Sequence, residues 1–539
     1  MTPWIDHLIV APILLPLIAG AAILLLKDRR HLVRRGIAIG TAATLLVVAG
    51  LLVARVADAG FSGQPGTTAY QLGSWPAPFG IVLVLDWLSA LMLMLTSILG
   101  LTSLIYATAR WDRAGPRFHS LFLFQLMGLN GAFLTGDLFN LFVFFEVLLA
   151  ASFALLLHGS GKARIKAALH YISINVATSL LFLIGAATIY GVTGTLNMAD
   201  LAVRIPAIGG SDLAILQSGM AILGMAFLVK AGMWPLGFWL PRTYAAASPP
   251  VAALFAMLSK VGVYAVLRVY LLLLNGEVGW SANFGEEWLL FGGMATIAFG
   301  TVGVLAVRTL SRIAGYSLVI SAGTLLAAVG AGQGAVLAGA LFYLVSSTLA
   351  VGAFYLLIEL VDRREASSDA AGAPVFDDEF SGLPDQVETE VRVAIPATMA
   401  ILGSGFAFCA LLIAGLPPLS GFIAKFVMID GLLSLGETVA PTSWLLIGLI
   451  IGSGLATLVA TTRAGIDLIW APSDKPQPAL RVAEAAPVAL LLVICMGLMV
   501  LAAPTMRYME RTSQSLGDRQ GYGRAVLGNP ARPQPDTGR

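Results

Sequence analysis

The chain has 539 residues, of which 58% are apolar and 12% charged, and its mean hydropathy is +0.86. A soluble domain carries about 25% charge, so this composition excludes a soluble globular protein and points to repeated membrane crossings. The net charge of +2, with basic residues that punctuate apolar runs, excludes electrostatic nucleic-acid binding as well.

Fourteen apolar stretches are each long enough to cross about 30 Å of hydrocarbon as a helix. In chain order they are residues 8–26, 37–57, 80–107, 118–134, 138–157, 168–192, 213–240, 251–274, 288–307, 313–329, 335–360, 393–435, 444–461 and 487–503. The expected fold is therefore all-α and polytopic. The first stretch does not read as a cleavable signal, because Asp6 and His7 precede it and its basic cluster follows it. Lysines and arginines crowd alternate connections, from Lys27, Arg34 and Arg35 through Arg110, Arg113 and Arg117 to Arg463 and Arg481. The opposite connections hold only Arg55 and Arg204. Positive loops stay cytoplasmic, so both termini are expected outside, in a bacterial inner membrane. The tail after Ala503 carries six arginines on that outer side and reads as a solvated extension.

Four basic residues fall inside spans: Lys230, Lys260, Arg268 and Lys425. A lysine at bilayer depth costs at least about 2.5–3.5 kcal/mol on insertion scales, so it marks a functional site unless it can escape. Arg268 lies within a turn of its helix end and is expected to snorkel. On the acidic side Glu146 sits in mid-span with nothing local to neutralise it, whereas Asp86, Asp137, Glu359 and Asp430 read as interfacial charges. Two spans are interrupted alike, at Ala231-Gly232-Met233-Trp234-Pro235 and at Ala414-Gly415-Leu416-Pro417-Pro418. Proline removes a helix donor, so each is expected to be a helix broken in mid-membrane, with Lys230 before one break and Lys425 after the other. Paired breaks point to structural repeats around an ion pathway.

Several features read as inert. Cys409 and Cys495, far apart in sequence, behave as small hydrophobes. His158 and His170 flank a basic loop, His7, His31 and His119 lie at membrane edges, and Phe139, Phe142, Phe144 and Phe145 suit packing. The stretch from Asp362 to Glu390 has nine acids and reads as a disordered or partner-contacting linker. No phosphate loop, metal-ligand spacing or nucleophile triad is visible, so neither cofactor nor metal is expected.

The run from Gly136 to Glu146, the Lys230 break ending in Trp239-Leu240-Pro241, the Ser259-Lys260-Val261-Gly262 helix and the Leu416 to Phe426 break resemble the antiporter-like subunits. This superfamily joins the membrane-arm pumps of respiratory complex I to the large subunits of Mrp-type multisubunit cation/proton antiporters. Within it the chain is most similar to the D-type large subunits of Mrp/Pha antiporters, with lysine at position 425 and the acidic insertion before it as pointers. The resemblance implies N-terminal helices over residues 1–117 and two inverted five-helix repeats over 118–275 and 288–465, the latter containing the acidic loop 362–390. A fourteenth helix at 482–504 and a polar tail at 505–539 follow.

It also implies a proton relay of Glu146, Lys230, Lys260 and Lys425, with Glu146 and Lys230 paired. Asp137, Pro235 and Pro418 are supporting residues. Relatives commonly place a histidine where this chain has Ser346, so hydroxyls such as Ser346, Ser347 and Thr348 are expected to fill that step. The function implied is proton translocation within a multisubunit antiporter, alongside other Mrp/Pha subunits and with a monovalent cation, sodium first. The alternative is a membrane subunit of an NADH:quinone oxidoreductase or membrane hydrogenase.

Overall fold

A computed structural model describes residues 4–27, 30–61, 66–75, 80–115, 117–274, 279, 281–332, 334–366, 396–434, 439–466 and 480–528. The acidic stretch beyond residue 366 lies outside them. Among the described residues twenty α-helices run in order. The N-terminal group is α1 (Trp4–His7), α2 (Ala11–Leu25), α3 (His31–Phe61), α4 (Trp87–Ala107), α5 (Phe118–Leu134), α6 (Leu138–Leu157) and α7 (Lys162–Thr193). The central group is α8 (Met198–Arg204), α9 (Ser211–Ala231), α10 (Leu240–Ala246), α11 (Pro249–Val269), α12 (Glu286–Ala306), α13 (Leu310–Ala331) and α14 (Ala335–Ala366). The last are α15 (Pro396–Ala414), α16 (Ser420–Leu433), α17 (Pro441–Gly465), α18 (Val482–Val500), α19 (Ala502–Gly517) and α20 (Arg519–Leu527).

Eleven described helices are long and apolar enough to cross a bilayer, and three shorter apolar helices accompany them. The fourteen expected spans are all represented, with α9 plus α10 and α15 plus α16 forming the two interrupted ones. Helices α11, α13 and α14 lie almost wholly inside the chain, while α3, α7, α12 and α17 present much of their surface outward. Any charge on α11 is thus shut away from lipid.

Both interruptions have one local cause. Gly232 (φ 84°) and Gly415 (φ 76°) adopt the left-handed conformation that a glycine takes without a Cβ penalty. The next amide then reaches back five residues, Met233 N to Leu228 O at 3.0 Å and Leu416 N to Leu411 O at 3.2 Å. This is the hydrogen-bond closure of a Schellman cap, and the proline that follows cannot resume the helix. Pro235 and Pro418, each in a cis peptide, face outward from the chain.

Two expectations change. The start of the third span is not helical, because Val82–Leu85 (β2) pairs antiparallel with Thr68–Gln71 (β1) before Asp86 caps α4. The basic tail is not a solvated extension either, since α19 packs on α14 and α4 and α20 packs on α8. Tyr508 donates to Trp87 O at 2.9 Å, and Arg511 bonds Gly60 O at 2.7 Å. Cys409 on α15 and Cys495 on α18 are buried free thiols.

Candidate functional site

Lys230 ends α9, where the negative end of the helix dipole favours a cation. Its Nζ is 3.5 Å from Asn175 Oδ1, at the limit of hydrogen-bond range, and 4.9 Å from the centre of the Phe145 ring. Glu146, the neighbour of Phe145 on α6, accepts a hydrogen bond from Ser179 Oγ. Glu146 and Lys230, expected as a pair, interact electrostatically but form no direct salt bridge. Helix α7 intervenes, presenting Asn175 to the lysine and Ser179 to the carboxylate one turn apart on the same face. A cavity of about 20 Å³ beside Lys230 is lined by Phe145, Tyr171, Asn175, Trp239 and Leu258, a little above the volume that one water needs.

Lys260 is fully buried on α11 and donates to Ser321 Oγ at 2.6 Å. Ser321 on α13 is 2.9 Å from Ser347 Oγ on α14. One residue back on α14, Ser346 is 2.8 Å from Ser420 Oγ, which opens α16 just past the second break. Lys425, farther along α16, folds back so that its Nζ bonds Ala414 O, the last helical carbonyl before the break, at 2.8 Å. Tyr343 spans the same distance from the other side, with its hydroxyl near Ser321 and Thr324 and its ring 6.0 Å from Lys425 Nζ. Gly262 lets the backbone of α11 touch that of α9 beside Lys230. A Cβ there would lie 2.3 Å from Ala231 N.

Ser347 thus meets the hydroxyl that Lys260 bonds and Ser346 meets Ser420, whereas Thr348 bonds its own helix at Leu344 O. Asp137 stands apart from the row. It caps α6 by accepting from Asn140 N at 2.9 Å, and burial, only partly offset by its backbone hydrogen bonds, raises its carboxyl. Asn175, Ser179, Ser321, Tyr343 and Ser420 join the site without having been singled out in the sequence. A mid-span amide such as Asn175 is detectable by the rule that found the lysines. A serine is not, because most serines in helices bond their own backbone.

Arg268 does not snorkel. Its guanidinium makes two bonds to Asp86, at 2.5 and 2.9 Å, with both side chains 3% exposed. Tyr264 and Tyr522 flank it, the latter supplied by the tail helix α20.

The end of the bundle that carries the basic connections has its own charge cluster. Glu359 on α14 accepts from Tyr106 Oη and Trp111 Nε1, both at 2.8 Å, and has Arg110 Nη1 at 3.7 Å. His158 Nε2 donates to Trp111 O at 2.7 Å. Burial pushes this imidazole below its ordinary range, partly offset by that hydrogen bond. Asp112 binds Arg35 at 2.6 Å and faces His119 at 3.5 Å. Burial alone would raise its carboxyl, but these two partners outweigh it and hold the group low. Among the described residues no group of histidine, cysteine and carboxylate side chains could hold a metal ion.

A profile for the family described as NADH:quinone oxidoreductase/Mrp antiporter, TM, matches residues 135–452. The chain is 55% identical over 528 residues, 96% of each protein, to a probable K(+)/H(+) antiporter subunit of the D type from Rhizobium meliloti (strain 1021). It is 35% identical over 468 residues, 86% of this chain and 87% of the relative, to a Na(+)/H(+) antiporter subunit of the D type from Alkalihalophilus pseudofirmus. A chain in the solved structure of the Mrp complex from Dietzia sp. DQ12-45-1b is similar with a TM-score of 0.80 at 25% identity, covering 98% of this chain and 100% of that one. The chain belongs to the NADH:quinone oxidoreductase/Mrp antiporter transmembrane family.

Proposed function

We propose that this chain is the proton-translocating subunit of a multisubunit monovalent cation/proton antiporter, moving protons along the buried row from Glu146 to Lys425. The observation that carries the reading is the run Lys260, Ser321, Ser347, which links three helices hidden from lipid. A lysine is shut inside a protein core at a cost of several kcal/mol, which a purely structural role would avoid by using an apolar residue.

The chemistry follows from electrostatics in a poorly screened interior. A carboxylate stabilises the charged form of a nearby ammonium, and a second ammonium destabilises it. In this reading Lys230, held near Glu146 through α7, exchanges influence with Lys260 on the neighbouring helix α11, whose backbone touches α9 at Gly262. Displacement toward Lys260 favours release of a proton there onto Ser321, and displacement toward Glu146 favours recapture. Hydroxyls suit the step between Lys260 and Lys425, because each can accept one proton while donating another. The groups titrate as a coupled set.

The antiporter setting rests on the relatives, both named as D-type subunits of such systems. We take the remaining subunits of a Mrp/Pha complex as partners and a bacterial inner membrane as the location, with the basic end cytoplasmic and both termini outside. The relatives' names divide between potassium and sodium, and our reading commits only to a monovalent cation. The test is cation-driven proton movement in vesicles that hold the whole complex. Lys230→Ala, Lys260→Ala and Glu146→Ala are expected to abolish it for every cation tried. Unchanged exchange in assembled Lys260→Ala complex overturns the reading, and a potassium, sodium and lithium series on the parent identifies the cation.

A further inference from the structure

At the end of the bundle opposite the basic connections, a cavity of about 270 Å³ opens where α12 and α17 begin and α13 and α16 end. It is lined by Glu286 of α12, Gly330 and Ala331 of α13, Leu432 of α16, and Thr442 and Ser443 of α17. Among the described residues no basic side chain lines it. The last carbonyls of a helix have no partner within it, so α13 and α16 supply acceptors. A serine or threonine inside a helix ordinarily bonds the carbonyl one turn back. Thr442 and Ser443 stand in the first turn of α17, where no such carbonyl exists, and neither hydroxyl has a partner among the described residues. The Glu286 carboxylate has no ion pair or hydrogen bond among them either.

The first turns of α12 and α17 bring positive dipole ends to this space and the last turns of α13 and α16 bring negative ones, so the four oppose one another. The carboxylate therefore sets the sign, and the site attracts a cation. One carboxylate balances one charge, whereas calcium sites gather several. Backbone carbonyls and carboxylates are the groups that replace the water shell of alkali cations in pores. The cavity holds the equivalent of about nine waters at roughly 30 Å³ each, so a cation enters with most of its shell in place.

We propose that this cavity binds a partly hydrated monovalent cation, held by Glu286 with the Thr442 and Ser443 hydroxyls and the helix-end carbonyls completing its oxygen shell. The site rests on the antiporter reading above and gives this chain a cation station of its own. Its placement couples it to the relay. Leu432 lies seven residues beyond Lys425 on α16, about 10 Å of rise. A Cβ on Gly454 would lie 3.0 Å from Lys425 Nζ, and Ser443 is eleven residues, about 16 Å, from Gly454 along α17. At such separations, with an effective dielectric constant of about 20, two unit positive charges weaken each other's binding by at most about tenfold. A bound cation thus loosens the hold of Lys425 on its proton, and a protonated Lys425 weakens the cation by the same factor. Mutual exclusion of this kind is what exchange of one ion for the other requires.

The test is proton flux against sodium and against potassium concentration, in vesicles that hold the whole complex. Glu286→Gln keeps the shape of the cavity and removes its charge. It is expected to raise the half-saturating concentration of both cations about five- to tenfold, with the flux at saturation held within about twofold. Glu287→Gln is the control, because Glu287 is the exposed neighbour on α12 and does not line the cavity. A general surface field predicts equal shifts for the two variants, and equal shifts overturn the site. Thr442→Val with Ser443→Ala leaves every charge in place and is expected to raise half-saturation about two- to threefold. Unshifted half-saturation in that pair overturns the hydroxyl shell even if Glu286→Gln fails to assemble. Unshifted half-saturation in assembled Glu286→Gln, with Lys260→Ala silent, overturns the site and leaves the relay standing. Flux at the parent rate in Lys260→Ala overturns the relay, and with it the coupling.

Discussion

Replacing Ser321 by alanine isolates one step of the row. The hydroxyl accepts from the Lys260 ammonium at 2.6 Å and meets Ser347 at 2.9 Å. A hydrogen bond to a charged group is worth about 1.5–3 kcal/mol, and 1.36 kcal/mol is a factor of ten in rate. Losing it therefore slows transfer between Lys260 and α14 by roughly 10- to 100-fold if the proton passes that way. Water cannot restore the link. The volume of one hydroxyl is below the roughly 10–15 Å³ that a buried water needs, and the surrounding α13 is closely packed.

The assay is the quenching of a pH-sensitive dye in vesicles carrying the assembled complex, with the signal started by cation addition. Ser317→Ala is the matched control, one turn away on α13, because Ser317 Oγ bonds its own helix at Ile313 O, 2.9 Å away, and touches nothing in the row. Ser321→Thr keeps the hydroxyl and is expected to keep most of the flux. Flux in Ser321→Ala indistinguishable from that in Ser317→Ala, in complexes of equal abundance, would refute the hydroxyl step even if Lys260→Ala were silent.

Three further outcomes follow from the geometry. Arg268→Ala strands the Asp86 carboxylate in the interior and is expected to destabilise the complex by about 3–5 kcal/mol, whereas Asp86→Leu with Arg268→Met is expected to recover much of that; thermal unfolding of the purified complex measures both. Gly262→Ala drives a methyl into the backbone of Ala231, while Gly224→Ala has nothing within 4 Å, so the first is expected to lose flux or assembly and the second to be neutral in the same vesicle assay. Asp112, held below its ordinary value of 3.8 by His119 and Arg35 against the effect of burial, adds stability that is complete above that value and is lost as pH falls through the lower folded value. Asp112→Asn is therefore expected to lower the melting temperature at neutral pH and to flatten its fall below about pH 4.

The fourteen crossings were legible because a helix must be apolar for about 20 residues to span hydrocarbon, a demand too long to be met by accident. Where the demand shortens, legibility fails. The run Val82–Leu85 is apolar and abuts a span, so periodicity joined it to the helix, although Asp86 already marked the true cap. The tail misled for another reason. Arginines after the last span read as solvated because α19 alternates charge with apolar residues, yet its apolar face has a partner in α14 and α4 that no local pattern reveals. Arg268 failed likewise, its carboxylate lying 182 residues away in the chain.

The relay divides along the same line, by the size of the penalty that each residue advertises. A buried lysine is so costly that its position alone declares a purpose, and Lys230, Lys260 and Lys425 were found that way. A serine declares nothing. Ser317 and Ser321 are the same residue one turn apart on one helix, and only the facing lysine separates a hydroxyl that satisfies its own backbone from one that receives an ammonium. The pairing of Glu146 with Lys230 is indirect: the two are close enough to attract but make no direct salt bridge. Opposite charges in neighbouring spans imply attraction but not contact, and Asn175 and Ser179 convert the pair into a bridged one. The bridge matters for transport, because a lysine in direct contact with its carboxylate would have to break a desolvated ion pair before it could move. Held instead by a 3.5 Å amide contact and an aromatic face, Lys230 is spared that cost in the displacement proposed above.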